Sequence, residues 1–228
     1  MTHDIAGAMD SVRERVGRAC ERAGRDATAV QLIAVSKGQS EAAIRAAYEA
    51  GMRVFGENYA QELATKASAL GDLPDLHWRF IGHLQRNKVK IIEGARATVD
   101  TVDSVRLAQA ISVRATARAM DVDVLIQVNV GGEAQKSGCT PDGVPRLVEA
   151  VRALPGVTLR GLMTVAPHLE DVEATRPFFA SLRTLAEANG LSELSMGMTH
   201  DLEQAVAEGA TMIRIGTAIF GPRSPATR

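Results

Sequence analysis

Eight short apolar runs, each followed by a helix-like segment, constrain this chain more than any other feature. They are VQLIAVS (30–36), MRVFG (52–56), HWRFIG (77–82), ATVDTV (97–102), DVLIQVNV (123–130), VTLRGLMTV (157–165), ELSM (193–196) and TMIRIGT (211–217). Seven intervals separate residue 30 from residue 211, so one unit recurs about every 26 residues. The runs are short and apolar on both faces, which suits a parallel sheet covered by helices. Between them the spacing predicts helices over 41–51, 58–70, 84–93, 104–119, 142–153, 173–189 and 200–208. An earlier helix is expected over 4–23, with Ile5, Met9, Val12, Val16 and Ala19 on one face. Eight such units in 228 residues predict an α/β fold, a single (β/α)8 TIM barrel with one domain over 1–228. Little chain follows the eighth run, so the N-terminal helix is expected to fill the outer position of a last helix. An open doubly wound sheet is the alternative, and eight regular units close more naturally than they extend.

Composition removes other classes. Lys and Arg total 26 against 27 Asp and Glu, which argues against a general nucleic-acid or membrane-surface binder. Two cysteines, Cys20 and Cys139, make neither a disulfide framework nor a zinc set. No apolar run reaches the roughly 18 residues of a membrane span. The charged N-terminal segment is amphipathic rather than signal-like, so a cytoplasmic location is expected. HExxH, P-loop and GxGxxG motifs are absent.

Chemistry in such a barrel sits at the C-terminal strand ends. Those positions hold Lys37, Asn58, His83, Asp103, Asn129, Thr164, Ser195, and Arg214 with Gly216. Asn58, Asp103 and Asn129 read equally well as caps of helices or turns. His83 also reads as a rim histidine. Lysine is scarce: five residues (Lys37, Lys66, Lys88, Lys90 and Lys136) against 21 arginines. Lys66, Lys88 and Lys90 fall in or beside outer helices, where an exposed charge needs no explanation. Lys136 falls in the loop after the fifth run. Lys37 directly follows LIAVS, and apolar barrel walls would leave it more free amine for Schiff-base chemistry. RIGT (214–217) then places Gly216 and the Thr217 hydroxyl where these barrels bind phosphate. Ser195-Met196-Gly197-Met198-Thr199 adds hydroxyls and a glycine beside a helix start. An aldehyde-capturing lysine facing a phosphate cradle describes pyridoxal 5′-phosphate (PLP), with an arginine near the pyridine nitrogen. Spacing alone equally allows a phosphosugar held by an aldolase-type lysine.

The segments AVSKGQS (34–40), GENYAQE (56–62), WRFIGHLQRNK (78–88), VNVGGEAQKSG, RGLMTVAP (160–167) and LSMGMTHDLEQAV with TMIRIGTAIFG resemble the pyridoxal phosphate homeostasis protein family. The resemblance runs the length of the chain in order. It implies a barrel like the N-terminal domain of alanine racemase, PLP held as a Schiff base on Lys37, and a role in vitamin B6 and amino-acid homeostasis. It further implies Arg214 at the pyridine nitrogen, and Ser195, Gly216 and Thr217 at the phosphate. Asn58 would lie near the ring, His83 near the mouth, with Met163, Met196 and Gly197 also in cofactor-binding motifs. Lys136 matches a lysine that assists ligand handling. Many members read AVSKTKP; here Gln39 and Ser40 replace the second lysine and the proline. Alanine racemase uses a tyrosine from a second domain as its other base. The only tyrosines here are Tyr48 and Tyr59, and little chain follows the eighth run. A non-catalytic PLP carrier is therefore expected, as a monomer with PLP-requiring apo-enzymes as partners. A weak racemase-like enzyme is the alternative.

Overall fold

The computed structural model describes residues 3–222, so the expected domain over 1–228 extends beyond the described residues at both ends. The strands are β1 (Gln31–Val35), β2 (Val54–Glu57), β3 (His77–Phe80), β4 (Thr98–Val102), β5 (Val122–Gln127), β6 (Val157–Met163), β7 (Glu193–Met198) and β8 (Met212–Ile215). Each pairs in parallel with the next, and β8 returns to β1 through Gln31↔Met212 to Ala34↔Ile215, closing the barrel. The (β/α)8 expectation holds.

Helices α1 (Ile5–Arg22), α2 (Glu41–Glu49), α3 (Ala60–Ala69), α4 (Val89–Ile92), α5 (Val105–Ala117), α6 (Val144–Arg152), α7 (Arg176–Ala188), α8 (Leu202–Ala207) and α9 (Thr217–Phe220) form the outer layer. Side-chain caps start several of them. The Asp4 carboxylate accepts from Gly7 N–H, Ser40 Oγ from Ala43 N–H, and Ser104 Oγ from Leu107 N–H. Ser40 therefore has a local structural role. Met9, Val12, Val16, Ala19 and Cys20 form the buried face of α1, which packs on α8, α9 and α2. That is the outer position between the last and first units, as expected.

Two segments depart from the sequence reading. The helix expected over 84–93 is one α-turn, α4, between 3-10 turns at Arg86–Lys88 and Glu93–Ala95; Arg96 follows in the left-handed region at φ 48°. The unanticipated α9 buries Ile219 and Phe220.

The strand period of two separates two cores. Ala34, Phe55, Phe80, Ile126, Leu162, Met196 and Ile213 belong to the large core shared with the helices. Ile33, Val54, Leu125, Met163 and Met212 form a smaller cluster that alternates with it along the strands, inside the barrel. The same interior holds charge: Arg79, Asp100 and Arg214 are all buried.

Candidate ligand site at the barrel mouth

A cavity of about 260 Å³ opens at the strand ends. Val35 of β1 lines it with Lys37 and Gln39 of the following loop; Met198 of β7 with Thr199 and His200 just after it; and Arg214 of β8 with Gly216, Thr217 and Gly221 at and around α9. Its size suits a ligand smaller than a drug-like molecule. Lys37 reaches the cavity by strand alternation. Ile33 points into the barrel, Ser36 points outward to donate to Glu57, and Lys37 faces the mouth. The turn after it needs glycine, because Gly38 has φ +71°.

Arg214 is held from two sides. Its Nη1 donates to Ser195 Oγ at 2.9 Å and its Nη2 to the Thr164 carbonyl at 2.7 Å. Ser195 Oγ in turn donates to Asp100 at 3.3 Å, and Asp100 accepts from Arg79 Nε at 3.0 and 3.1 Å. Burial pushes the Asp100 carboxyl up, and the Arg79 charge opposes it. Burial likewise pulls the Arg214 guanidinium down, against the Asp100 charge. The chain thus carries two cations and one anion through the barrel centre. The apolar walls expected around Lys37 are apolar only in part.

Lys37, Arg214, Gly216 and Thr217 come together as the sequence suggests. The other candidates are not among the residues lining this cavity. Ser195 is fully buried, its hydroxyl committed to Arg214 and Asp100; Thr199 lines the cavity in its place. Met196 faces the helix layer and Met163 the barrel interior, both buried. Gly197 serves packing: it has φ +90°, and a Cβ there would lie 2.4 Å from Ala205 Cβ. His83 is more than half exposed; its Nδ1 lies 3.2 Å from Ser137 Oγ and 3.7 Å from Asp103. Asn58 keeps a buried Oδ1 without a hydrogen-bond partner, and its peptide presses so closely on Gly82 that a Cβ there would meet its carbonyl at 2.0 Å.

Lys136, in the loop after β5, is not among the residues lining the cavity. Its Nζ donates to the Ala166 carbonyl at 2.9 Å and pairs with Glu133. Asn129 Nδ2 donates to the Glu133 carbonyl at 2.9 Å, while Thr164 Oγ1 donates to Val128. Burial pushes the Cys139 thiol up to about 11. Tyr48 lies on the outer layer under the Arg53 guanidinium, 4.0 Å from its ring centre, and Tyr59 is largely exposed.

Lys66 corrects the sequence reading. It is buried at 6% exposure rather than exposed, because Leu63 and Lys66 form the inner face of α3. Its ammonium donates to Glu57 Oε1 at 2.7 Å, Glu62 Oε1 at 2.6 Å and the Ser36 carbonyl at 2.6 Å.

Among the described residues no group of three His, Cys, Asp or Glu could hold a metal, and no helix is long and apolar enough to cross a membrane. The residues fit PLP on their own chemistry: an amine and an arginine line one cavity with a glycine–threonine turn, and Asn58 leaves a buried acceptor unfilled.

Residues 8–224 match the family model of the alanine racemase N-terminal domain. A pyridoxal phosphate homeostasis protein from Pseudomonas aeruginosa is 48% identical over 221 residues, covering 96% of each chain. The structure of PipY from Synechococcus elongatus with PLP bound is 37% identical, with a TM-score of 0.83 over 96% of this chain and 100% of that one. An alanine racemase from Bartonella henselae shares the fold at 13% identity, TM-score 0.70, over 96% of this chain and 58% of that one. The chain belongs to the alanine racemase N-terminal domain family, within its branch of pyridoxal phosphate homeostasis proteins.

Proposed function

We propose that this chain binds pyridoxal 5′-phosphate at the barrel mouth, held as a Schiff base on Lys37, and acts in intracellular PLP and amino-acid homeostasis without dedicated turnover. The carrying observation is that Lys37 and the Gly216–Thr217 turn line one cavity. When bound, PLP would supply an electrophilic aldehyde with which the Lys37 amine can condense, releasing water. Thr217, the Gly216 backbone and Thr199 face the phosphate, replacing Ser195 in that role. Arg214 presents its cation to the ring nitrogen, which keeps that nitrogen unprotonated and weakens the ring as an electron sink. Ser195 and Asp100 hold Arg214 in place. Asn58 offers its unfilled Oδ1 to a donor at the ring side, and His83 borders the mouth.

The homeostasis reading draws support from the names of the relatives and from the positions of Tyr48 and Tyr59, one packed outside the barrel and one in solvent. The working unit is one cytoplasmic, monomeric barrel over 1–228, with PLP-requiring apo-enzymes as its partners. Incubating the purified protein with PLP should produce a visible absorbance band that Lys37→Ala abolishes. A panel of L- and D-amino acids should then give no steady product. A missing band sinks the PLP reading; steady Lys37-dependent turnover sinks the carrier reading in favour of an enzyme.

A further inference from the structure

The ion-pair cluster behind β1 does something a purely structural pair need not do. A buried salt bridge is weak evidence for stability, because desolvation offsets its Coulomb gain. Here three charges gather between β2 and α3: Glu57 is fully buried, Lys66 nearly so, and Glu62 lies one turn before Lys66. Their hydrogen bonds converge on the two peptide groups that flank Lys37. On its N-terminal side, Lys66 Nζ donates to the Ser36 carbonyl at 2.6 Å. On its C-terminal side, Gly38 N–H donates to Glu62 Oε1 at 2.6 Å. Ser36 Oγ donates to Glu57 Oε1, also at 2.6 Å, and the Gln39 N–H closes a turn on the Ser36 carbonyl at 2.9 Å.

We propose that Lys66 and Glu62, anchored by Glu57, are positioning residues for Lys37: they clamp the peptides before and after it and so fix the direction in which its amine enters the cavity. The inference rests on the Lys37 reading above and deepens it. A lysine side chain has four rotatable bonds, so its own contacts aim it poorly. Its Cα–Cβ direction is set by the two peptide planes beside it. Fixing both planes by charge-assisted bonds orients the root of the side chain without occupying its amine-bearing end. A misplacement near 1 Å can slow a reaction by about a hundredfold, so aim matters more here than affinity. The clamp grips the main chain, so it does not depend on which group the amine meets.

The test separates capture from binding. Wild type, Glu62→Gln, Lys66→Met and Lys66→Arg are mixed with PLP, and the rate of appearance of the absorbance band is followed across pH. In parallel, each is titrated with pyridoxine 5′-phosphate, which has the same ring and phosphate but an alcohol in place of the aldehyde. The expected result is capture slowed about tenfold or more in Glu62→Gln and Lys66→Met, on the scale of a lost alignment. Pyridoxine 5′-phosphate affinity should stay within about twofold, and Lys66→Arg should recover part of the rate. Should Lys66→Met fail to fold, Glu62→Gln decides, since Glu62 is partly exposed and Glu57 still pairs with Lys66. Capture at the wild-type rate in Glu62→Gln overturns the proposal. So does a loss of pyridoxine 5′-phosphate affinity in proportion to the rate, which marks general damage. If wild type itself forms no band, the Lys37 reading falls and takes the proposal with it; a normal wild type with unaffected variants overturns the clamp alone.

Discussion

Two buried charge networks on opposite faces of the barrel sheet support the same cavity, and they do so differently. Behind β1, Glu57, Lys66 and Glu62 sit between sheet and helix and hold main chain, the peptides around Lys37. Inside the barrel, Arg79, Asp100 and Ser195 run in series and hold a side chain, the guanidinium of Arg214. The first network has two carboxylates for one ammonium; the second has two guanidiniums around one fully buried carboxylate, Asp100, with the partly exposed Glu193 4.0 Å from Arg79. Each therefore depends on its minority charge. Losing that charge strands like charges in a low-dielectric interior. A flexible reactive amine is aimed through its backbone, whereas a fixed cation is held at its tip.

The largest effect should come from the minority charge of the interior network. Asp100→Ala leaves Arg214 without the buried anion behind Ser195 and Arg79 with only Glu193, 4.0 Å away, which should cost about 3–5 kcal/mol in urea unfolding. A loss under about 1 kcal/mol would mean that water or rearrangement rescues both cations, and that Asp100 does not hold the series together.

The β1 network should differ in its response to pH. Burial pushes the Glu57 carboxyl above its ordinary 4.5, against the pull of Lys66 and Ser36. The folded chain then holds that proton where the unfolded chain has released it. Its contribution to stability is full below 4.5 and declines as pH rises toward the raised value. Glu57→Gln removes the titrating group, so the stability of this variant should fall less with pH across that window. Identical slopes for variant and wild type would break this part of the comparison.

Two hydroxyl deletions sharpen the contrast at the mouth. Thr217→Ala should weaken pyridoxine 5′-phosphate binding by about 1 kcal/mol, roughly fivefold, as one charge-assisted hydrogen bond is lost. Ser195→Ala should instead lower stability by about 1 kcal/mol through the Arg214 support, with a smaller loss of affinity. The reverse ranking in affinity would return Ser195 to the phosphate. The smallest effect concerns Cys139, whose thiol is pushed up to about 11. Alkylation at pH 8 should be slow in the folded protein and fast in urea. As pH rises from 9 toward 11 the unfolded chain ionises first, so stability should decline over that range.

Much of this was legible in the sequence because each strand is a short, mostly apolar run, so all eight stand out against amphipathic helices. Lys37, Gly216 and Thr217 were legible because they fall within two residues of a strand end. Ser195 was placed at the strand exit because β7 was read too short. Reading ELSM as the whole strand put Ser195 at the exit, but β7 runs on to Met198, and between Ser195↔Met212 and Met198↔Arg214 it spends three residues against two. That bulge, passing through Gly197 at φ +90°, carries Thr199 to the cavity and leaves Ser195 inside. Lys66 was misread because a lone lysine on an alanine-rich helix normally faces water. The signal was available: Glu62 stands four residues before it, and Leu63 shares its face. The network that holds Arg214 draws on β3, β4, β7 and β8, so only the closed barrel brings it together.

The central claim is that one lysine of the five captures the ligand. Borohydride reduction of the PLP-loaded protein, followed by proteolysis and mass mapping, tests it most directly. The account predicts a single reduced pyridoxyl phosphate adduct, on the peptide carrying Lys37. An adduct on Lys136 or another lysine, or none on Lys37, contradicts it.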